Sequence, residues 1–442
     1  MITRTKSPPA MLRAAGLAVA FLTIGHIAEA QTLTTMATFT GGNGRAPYGT
    51  LIADANGNLF GTTFYNGALG YGTVFEIPYS AGTYGPMQTL VSFGNTNGAN
   101  PFSSLAIDAS GNLFGTTQNG GGSFKGTVFE IPKSGAGYGS LQSLASFNGT
   151  NGSQPAGNLA IDASGNLFGT ASSGGSGSNG VVFELPKSGA GYGSLQTLAN
   201  FNLTNGATPY GGVTIDAAGN LFGTTSSGGS ASGGTVFEVP KSGAGYGSLQ
   251  TLTNLTTTIG KNPLASVAID ASGNLFGTTS TGGTNNLGTV FELPNSGASY
   301  GSPVVLASLS NGIGAQGYGG VIIDANGSLF GTAYSGGAQG VGAVFEIAHN
   351  AGGYAPIQNV VSLTSSGAGG TSPWGGLHAD ANGNLIGTTE SGGSSAFGTV
   401  YKVSNSGFAV SAQTAVPEPA SLALFAWAGL IPLARRLRRR AG

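Results

Sequence analysis

Carboxylates recur along this 442-residue chain at almost constant spacing, and carboxylates can bind metals or move protons. Seven aspartates, Asp54, Asp108, Asp162, Asp216, Asp270, Asp324 and Asp380, are separated by five steps of 54 residues and one of 56. A second acid follows each of the first six after 22 residues: Glu76, Glu130, Glu184, Glu238, Glu292 and Glu346, with Lys402 in the seventh place. Calcium takes about 6–8 oxygen ligands, usually several from carboxylates. Each Asp-Ala-x-Gly segment offers one carboxylate, so no metal is expected, and the aspartates read as side chains that cap a tight turn. A general acid is normally a single residue with a partner at catalytic distance. A glutamate copied once per repeat between apolar neighbours reads as structural, bound to backbone N–H groups or threonine hydroxyls of the adjoining repeat. His349 and His378 show no Ser-His-Asp or metal-ligand spacing. The chain has no cysteine, which excludes disulfides, thiolate catalysis and Cys-ligated metal. No cofactor is expected.

The better candidates are aromatic. Six residues before each Asp stand Tyr48, Phe102, Ala156, Tyr210, Leu264, Tyr318 and Trp374, five of them aromatic. Phe64, Tyr65, Tyr71, Phe124, Tyr334 and Phe397 fall in loops expected on the same side. Flat apolar rings with polar edges suit sugar rings or protein anchors. The plainer reading is packing between repeats beneath the loops. Against it, a pure packing position should hold its volume, and Ala156 does not.

These residues must be positioned by whatever unit repeats. Gly-Asn-Leu-Phe-Gly-Thr-Thr or a close variant after each Asp, then a Gly/Ser-rich loop, then Gly-Thr-Val-Phe-Glu or a close variant, make two strands rich in β-formers. In the second copy, strands are expected at Ser103–Asp108, Leu113–Thr117, Gly126–Ile131 and Leu141–Phe147, with a turn over Lys133–Gly139. Four short strands with Gly-rich turns, copied at this period, describe a β-propeller blade. Seven copies predict an all-β, seven-bladed propeller over 31–404. The seventh copy lacks an outer strand after Tyr401, while Leu33–Phe39 stands alone before the first blade. Phe39 precedes Asp54 by 15 residues, the spacing of Phe93, Phe147 and Phe201 before their own Asp. The orphan strand therefore completes blade seven and closes the ring. An open β-solenoid, the alternative, gives no reason for matching gaps at its two ends.

The repeat, on these same motifs, resembles the choice-of-anchor tandem repeat GloVer-containing proteins. The resemblance spans nearly the whole repeat region and implies a surface protein with variable anchors, but no particular activity. The seventh copy departs from it at Leu385-Ile386 and at Lys402.

The ends read as addresses. Arg4, Lys6 and Arg13 precede the apolar stretch 14–25, and Ala28-Glu-Ala30 matches a cleavage site, so 1–30 is expected to be an export signal. A linker, 405–416, leads to Pro417-Glu418-Pro419, an apolar stretch 421–434 and five arginines within 435–440. This tail, 417–442, resembles a PEP-CTERM sorting signal. The resemblance implies processing by an exosortase, membrane insertion before processing, and final residence at the cell surface or in an exopolysaccharide matrix. Charged residues are only 7% of the chain, against about 25% in an ordinary domain. Residues 31–416 carry seven Lys/Arg and fourteen Asp/Glu, a net of −7 with no basic stripe, so nucleic acid is not an expected partner. The expected function is a non-catalytic binding or structural module with polysaccharide or envelope proteins as partners. The alternative is a polysaccharide hydrolase or lyase on the same scaffold.

Overall fold

The computed structural model describes residues 30–410 apart from 298 and 366–368. The export segment and the sorting tail with Pro417, Glu418 and Pro419 lie outside the described residues. What is described is all β: seven antiparallel sheets, each with four blade strands, form a seven-bladed propeller. Blade one runs from its inner strand Ile52–Ala53 through Leu59–Thr63 and Thr73–Ile77 to the outer Gln88–Ser92. Blades two to six repeat the order, and blade three adds a short strand, Ser153–Pro155.

The buried second and third strands explain the repeated motifs. Alternating side chains point to opposite faces of a blade, and both faces are covered. Leu59 and Phe75 pack toward blade seven with Ile386 and Val400, while Phe60 and Val74 pack toward blade two with Leu113 and Phe129. Each fully buried Leu, Val or Phe of this kind contributes about 1.5–3 kcal/mol of transfer free energy. Gly61 stands between them because a Cβ there would lie 2.6 Å from Phe75 Cζ.

Blade seven takes its outer strand from the N-terminal end. Thr32–Thr38 pairs antiparallel with Thr399–Ser404, from Thr32 opposite Ser404 to Thr38 opposite Thr399. Phe39 then donates its N–H to Gly398 O at 3.0 Å and sets its ring edge-on to Phe75, 5.2 Å away. A bulge interrupts the pairing of third and outer strands in blade one between Val74 and Phe75, and in blade seven between Thr35 and Ala37. It turns the outer strand as each blade twists.

The inner strand is shorter than expected. In blade two only Ala106–Ile107 pairs, not Ser103–Asp108. The chain ahead of it lines the cavity through Ser103 and Ser104 and joins no ladder among the described residues. Threonine hydroxyls replace the ladder: Thr62 Oγ1 donates to Ser103 O of the next blade at 2.9 Å, and Thr170 Oγ1 to Gly211 O at 2.8 Å. Thr388 Oγ1 completes the circle by donating to Gly49 O at 3.2 Å. The expected turn over Lys133–Gly139 contains a small ladder, Lys133–Ser134 against Gly137–Tyr138.

Six of the seven turn aspartates use both carboxylate oxygens within their own turn. Asp54 Oδ1 accepts from the Asn56 and Asn58 N–H groups at 3.0 and 2.9 Å, and Oδ2 from Asn58 Nδ2 at 2.8 Å. Gly57 (φ +84°) allows the turn to close. Asn58 Oδ1 then accepts the Tyr79 N–H, tying this turn to the hairpin after the third strand. The carboxylate contacts recur at Asp108, Asp162, Asp216, Asp270 and Asp380, and the tie to a hairpin at the first four of these. At Asp324 the last described residues join in: Ala409 N–H donates to Asp324 Oδ2 at 3.2 Å, and Ala325 N–H to Ala409 O at 2.9 Å. Residues 405–410, expected as the start of a linker, thus run across the turn face of blade six.

Candidate binding site

The connections from each outer strand to the next inner strand converge on the propeller axis. The seven residues that precede the turn aspartates by six, Tyr48, Phe102, Ala156, Tyr210, Leu264, Tyr318 and Trp374, all line one cavity of about 330 Å³. Ligand pockets commonly measure about 300–1,000 Å³. Small residues close the cavity toward the neck, where a Cβ on Gly375 would lie 2.8 Å from Gly49 O.

The ring of seven is not uniform. Trp374 is 4.4 Å from Tyr318, 5.3 Å from Tyr48 and 5.8 Å from Phe102 between ring centroids. Two loop residues join them: Phe64 lies 5.4 Å from Tyr48, and Tyr334 lies 4.7 Å from Tyr318. Blades six, seven, one and two therefore present one continuous aromatic wall. All six rings are half-buried; Tyr48, Phe102, Tyr318 and Trp374 line the cavity, and Phe64 and Tyr334 pack against them. Packing between repeats, the plainer reading of the position, is thus formed in this sector. Tyr210, on blade four, joins none of the ring contacts among the described residues, and Ala156 and Leu264 flank it. Of the other loop aromatics, Tyr65, Tyr71 and Phe124 are exposed, and Phe397 lies beneath the Arg45 guanidinium at 5.2 Å.

Glu390 organises this wall. It opens the loop after the second strand of blade seven and stands behind Tyr48, which lines the cavity. Tyr48 of blade one donates its hydroxyl to Glu390 Oε1 at 3.2 Å, and Tyr334 of blade six donates to Oε2 at 3.0 Å. Burial, then the Glu390 charge and hydrogen bond, hold the Tyr48 phenol well above its ordinary pKa of 10.0. Burial raises Tyr318 and Tyr334 as well, again with Glu390 adding to it. All three stay neutral hydroxyls at physiological pH.

Sequence reasoning overlooked Glu390, although a signal was present. Fourteen acids fall in 31–416, and thirteen of them are the repeated Asp and Glu. Ten residues after the turn Asp, blades three to five carry Ser172, Ser226 and Ser280, each bonded back to a nearby backbone carbonyl. Phe64, Tyr334 and Glu390 occupy that place in blades one, six and seven.

The repeated glutamates lie elsewhere, near the turn aspartates on the opposite face. Their expected bonds to backbone or threonine are not formed among the described residues. Burial pushes the Glu76 carboxyl above its ordinary value, opposed by Lys133 and reinforced by Asp54, and Glu130 and Glu184 repeat this arrangement with Lys187 and Lys241. His378, on the inner strand of blade seven, is pushed below its ordinary value by burial, which outweighs Asp380. Among the described residues no group of three or more potential ligands is placed to hold a metal ion.

The fold is similar to solved propellers. The extracellular domain of a protein described as a one component system from B. thetaiotaomicron matches at 11% identity with a TM-score of 0.53; the match covers 83% of this chain and 39% of that one. A gluconolactonase from Xanthomonas campestris (13% identity, TM-score 0.41) and a puromycin-hydrolyzing peptidase from Mycobacterium tuberculosis (10%, 0.48) are more distant in shape, the matches covering 84% and 80% of this chain and 89% and 52% of theirs. At such identities the likeness concerns the fold alone. Comparison with curated proteins gives no match. The family model of the Gloeobacter/Verrucomicrobia repeat matches residues 23–166 and 160–401, nearly the whole repeat region. With its seven copies folded into seven blades, the chain belongs to the Gloeobacter/Verrucomicrobia repeat family.

Proposed function

We propose that this propeller is a binding module displayed outside the cell, in the envelope or its polysaccharide matrix, and that it holds saccharide rings at the channel mouth. The observation that carries this reading is the aromatic wall around Trp374. One equivalent position in each blade lines the cavity with a side chain that varies between blades, and one sector concentrates rings there. Stacking on flat aromatic faces suits the apolar faces of sugars, and the surrounding hydroxyls suit their polar edges. Acid–base cleavage of glycosides normally uses a pair of carboxylates; Glu390 stands alone at the mouth among the described residues.

The address supports the setting. The segments around Arg13 and around Pro417-Glu418-Pro419 fit export through the inner membrane and processing by an exosortase-type enzyme. The described chain ends at 410 on the turn face, beside Asp324.

The test is a glycan-array screen with the full-length protein, followed by affinity for matrix polysaccharide from the producing cell. Wild type binds, and Trp374→Ala loses most of the affinity while still folding. A folded wild type that retains no saccharide on the array overturns the reading.

A further inference from the structure

We infer that the channel mouth prefers a saccharide bearing a free primary ammonium, placed between the face of Trp374 and the carboxylate of Glu390. The inference rests on the mouth being a saccharide site and adds the charge of the ligand.

Glu390 is the one acid of residues 31–416 outside the two repeated positions. Its oxygens each receive one tyrosine hydroxyl, from Tyr48 and Tyr334, and each keeps a second acceptor direction. No Lys or Arg pairs with it among the described residues. Arg45, on the same connection as Tyr48, lies over the Phe397 ring instead. A half-buried carboxylate without a counter-charge, beside closely packed aromatic rings, favours a cation on two counts. The carboxylate accepts a charge-assisted hydrogen bond, which is stronger than a neutral one. The negative ring faces of Trp374, Tyr318 and Tyr48 attract positive charge. Hydroxyl donation to Glu390 also fixes the two tyrosines, so the ligand orders little on binding.

The cation belongs on a sugar rather than on a lysine chain because of the cavity beside it. About 330 Å³ walled by Trp374, Tyr318, Tyr48 and Phe102 accommodates a ring. An extended lysine side chain would satisfy Glu390 and leave that wall unused. A hexosamine with its amine free presents both features at once, whereas its N-acetylated form presents the ring without the charge.

Binding of a glucosamine tetramer, an N-acetylglucosamine tetramer and tetralysine to full-length protein in detergent micelles tests this. Wild type is expected to bind the free-amine tetramer about tenfold more tightly than the acetylated one, with the preference shrinking as salt is raised. Glu390→Gln keeps the shape but turns one acceptor oxygen into an NH2 donor, so one tyrosine hydroxyl has to accept instead; it should abolish the preference by bringing the free-amine tetramer down to the affinity of the acetylated one. Trp374→Ala should weaken both. Equal affinity of wild type for the two tetramers, or a preference that persists in Glu390→Gln, overturns the inference and leaves the saccharide reading standing. Tetralysine bound as tightly as the glucosamine tetramer overturns the assignment to a sugar. Failure to bind either tetramer, while the array finds another saccharide, overturns the inference alone; failure on the array as well removes both.

Discussion

The Phe408 ring lies 5.2 Å from that of Phe330 and stands in for a tyrosine. Elsewhere the hairpin after the third strand reaches back to the preceding blade: Tyr138 onto Phe60 at 5.4 Å, Tyr192 onto Phe114 at 5.8 Å and Tyr354 onto Phe276 at 5.9 Å. Among the described residues blade seven has no such hairpin, so blade six would lose its cover without residues 405–410. Phe408→Ala is expected to cost about 1–3 kcal/mol, less than the roughly 3–5 for a fully buried phenylalanine, because Phe408 is half-buried. Denaturant unfolding measures it; an unchanged midpoint would make this segment a bystander.

Deleting residues 31–40 should open the ring. It removes the partner of Thr399–Ser404 and the fully buried Phe39, leaving a bare strand edge beside an unfilled core. The expected outcome is a large fall in melting temperature with aggregation, followed by calorimetry and size-exclusion chromatography. A monomer that melts like the parent would contradict closure by this strand.

The mouth and the core should separate in mutagenesis. Tyr318→Ala combined with Trp374→Ala truncates two half-buried rings at a position where blade three already carries Ala156. The expected stability loss is about 1–2 kcal/mol, below that of a core truncation, with most saccharide binding gone. Phe129→Ala, in the interface between blades one and two, should do the reverse and melt the protein without a specific effect on affinity. A steep drop in melting temperature for the Tyr318/Trp374 pair would make the wall structural.

Mild acid should stabilise the fold. Six glutamates, Glu76, Glu130, Glu184, Glu238, Glu292 and Glu346, have carboxyls raised above 4.5, chiefly by burial. A raised folded pKa means that the folded state binds protons more readily than the unfolded chain. The resulting stability is fully present below pH 4.5 and is lost as pH rises through the raised values. His378 acts in the opposite sense, since its lowered pKa removes stability as pH falls below 6.5. The glutamate contribution grows as pH is lowered from 7 toward 4.5, so the melting temperature of His378→Gln, which lacks the opposing group, should rise over that interval by more than that of the parent. A melting temperature that falls over that interval in both proteins would refute the assignment.

Much of this molecule is legible in its sequence, and for a definite reason. A period of 54 residues is a property of the chain that needs no coordinates, and strands that bury both faces write the same apolar letters in every copy. Blade number and the closing strand follow from counting, because Phe39 keeps the spacing of Phe93 and Phe147 to the next turn aspartate. The convergence of Tyr48 and Trp374 on one cavity was foreseeable from their shared register. Their sorting into a wall was not. Closure brings Tyr48 against Glu390 across 342 residues of chain, and Tyr334 against it across 56. In the sequence Glu390 looks like one more departure of a terminal repeat, alongside Ile386 and Lys402; only its position between two tyrosine hydroxyls separates it from them. The repeated glutamates show the converse, since their regular spacing invited hydrogen-bond partners that the blade interface does not supply. Spacing specifies which residues are equivalent, but which neighbours a departure meets depends on the ring being closed.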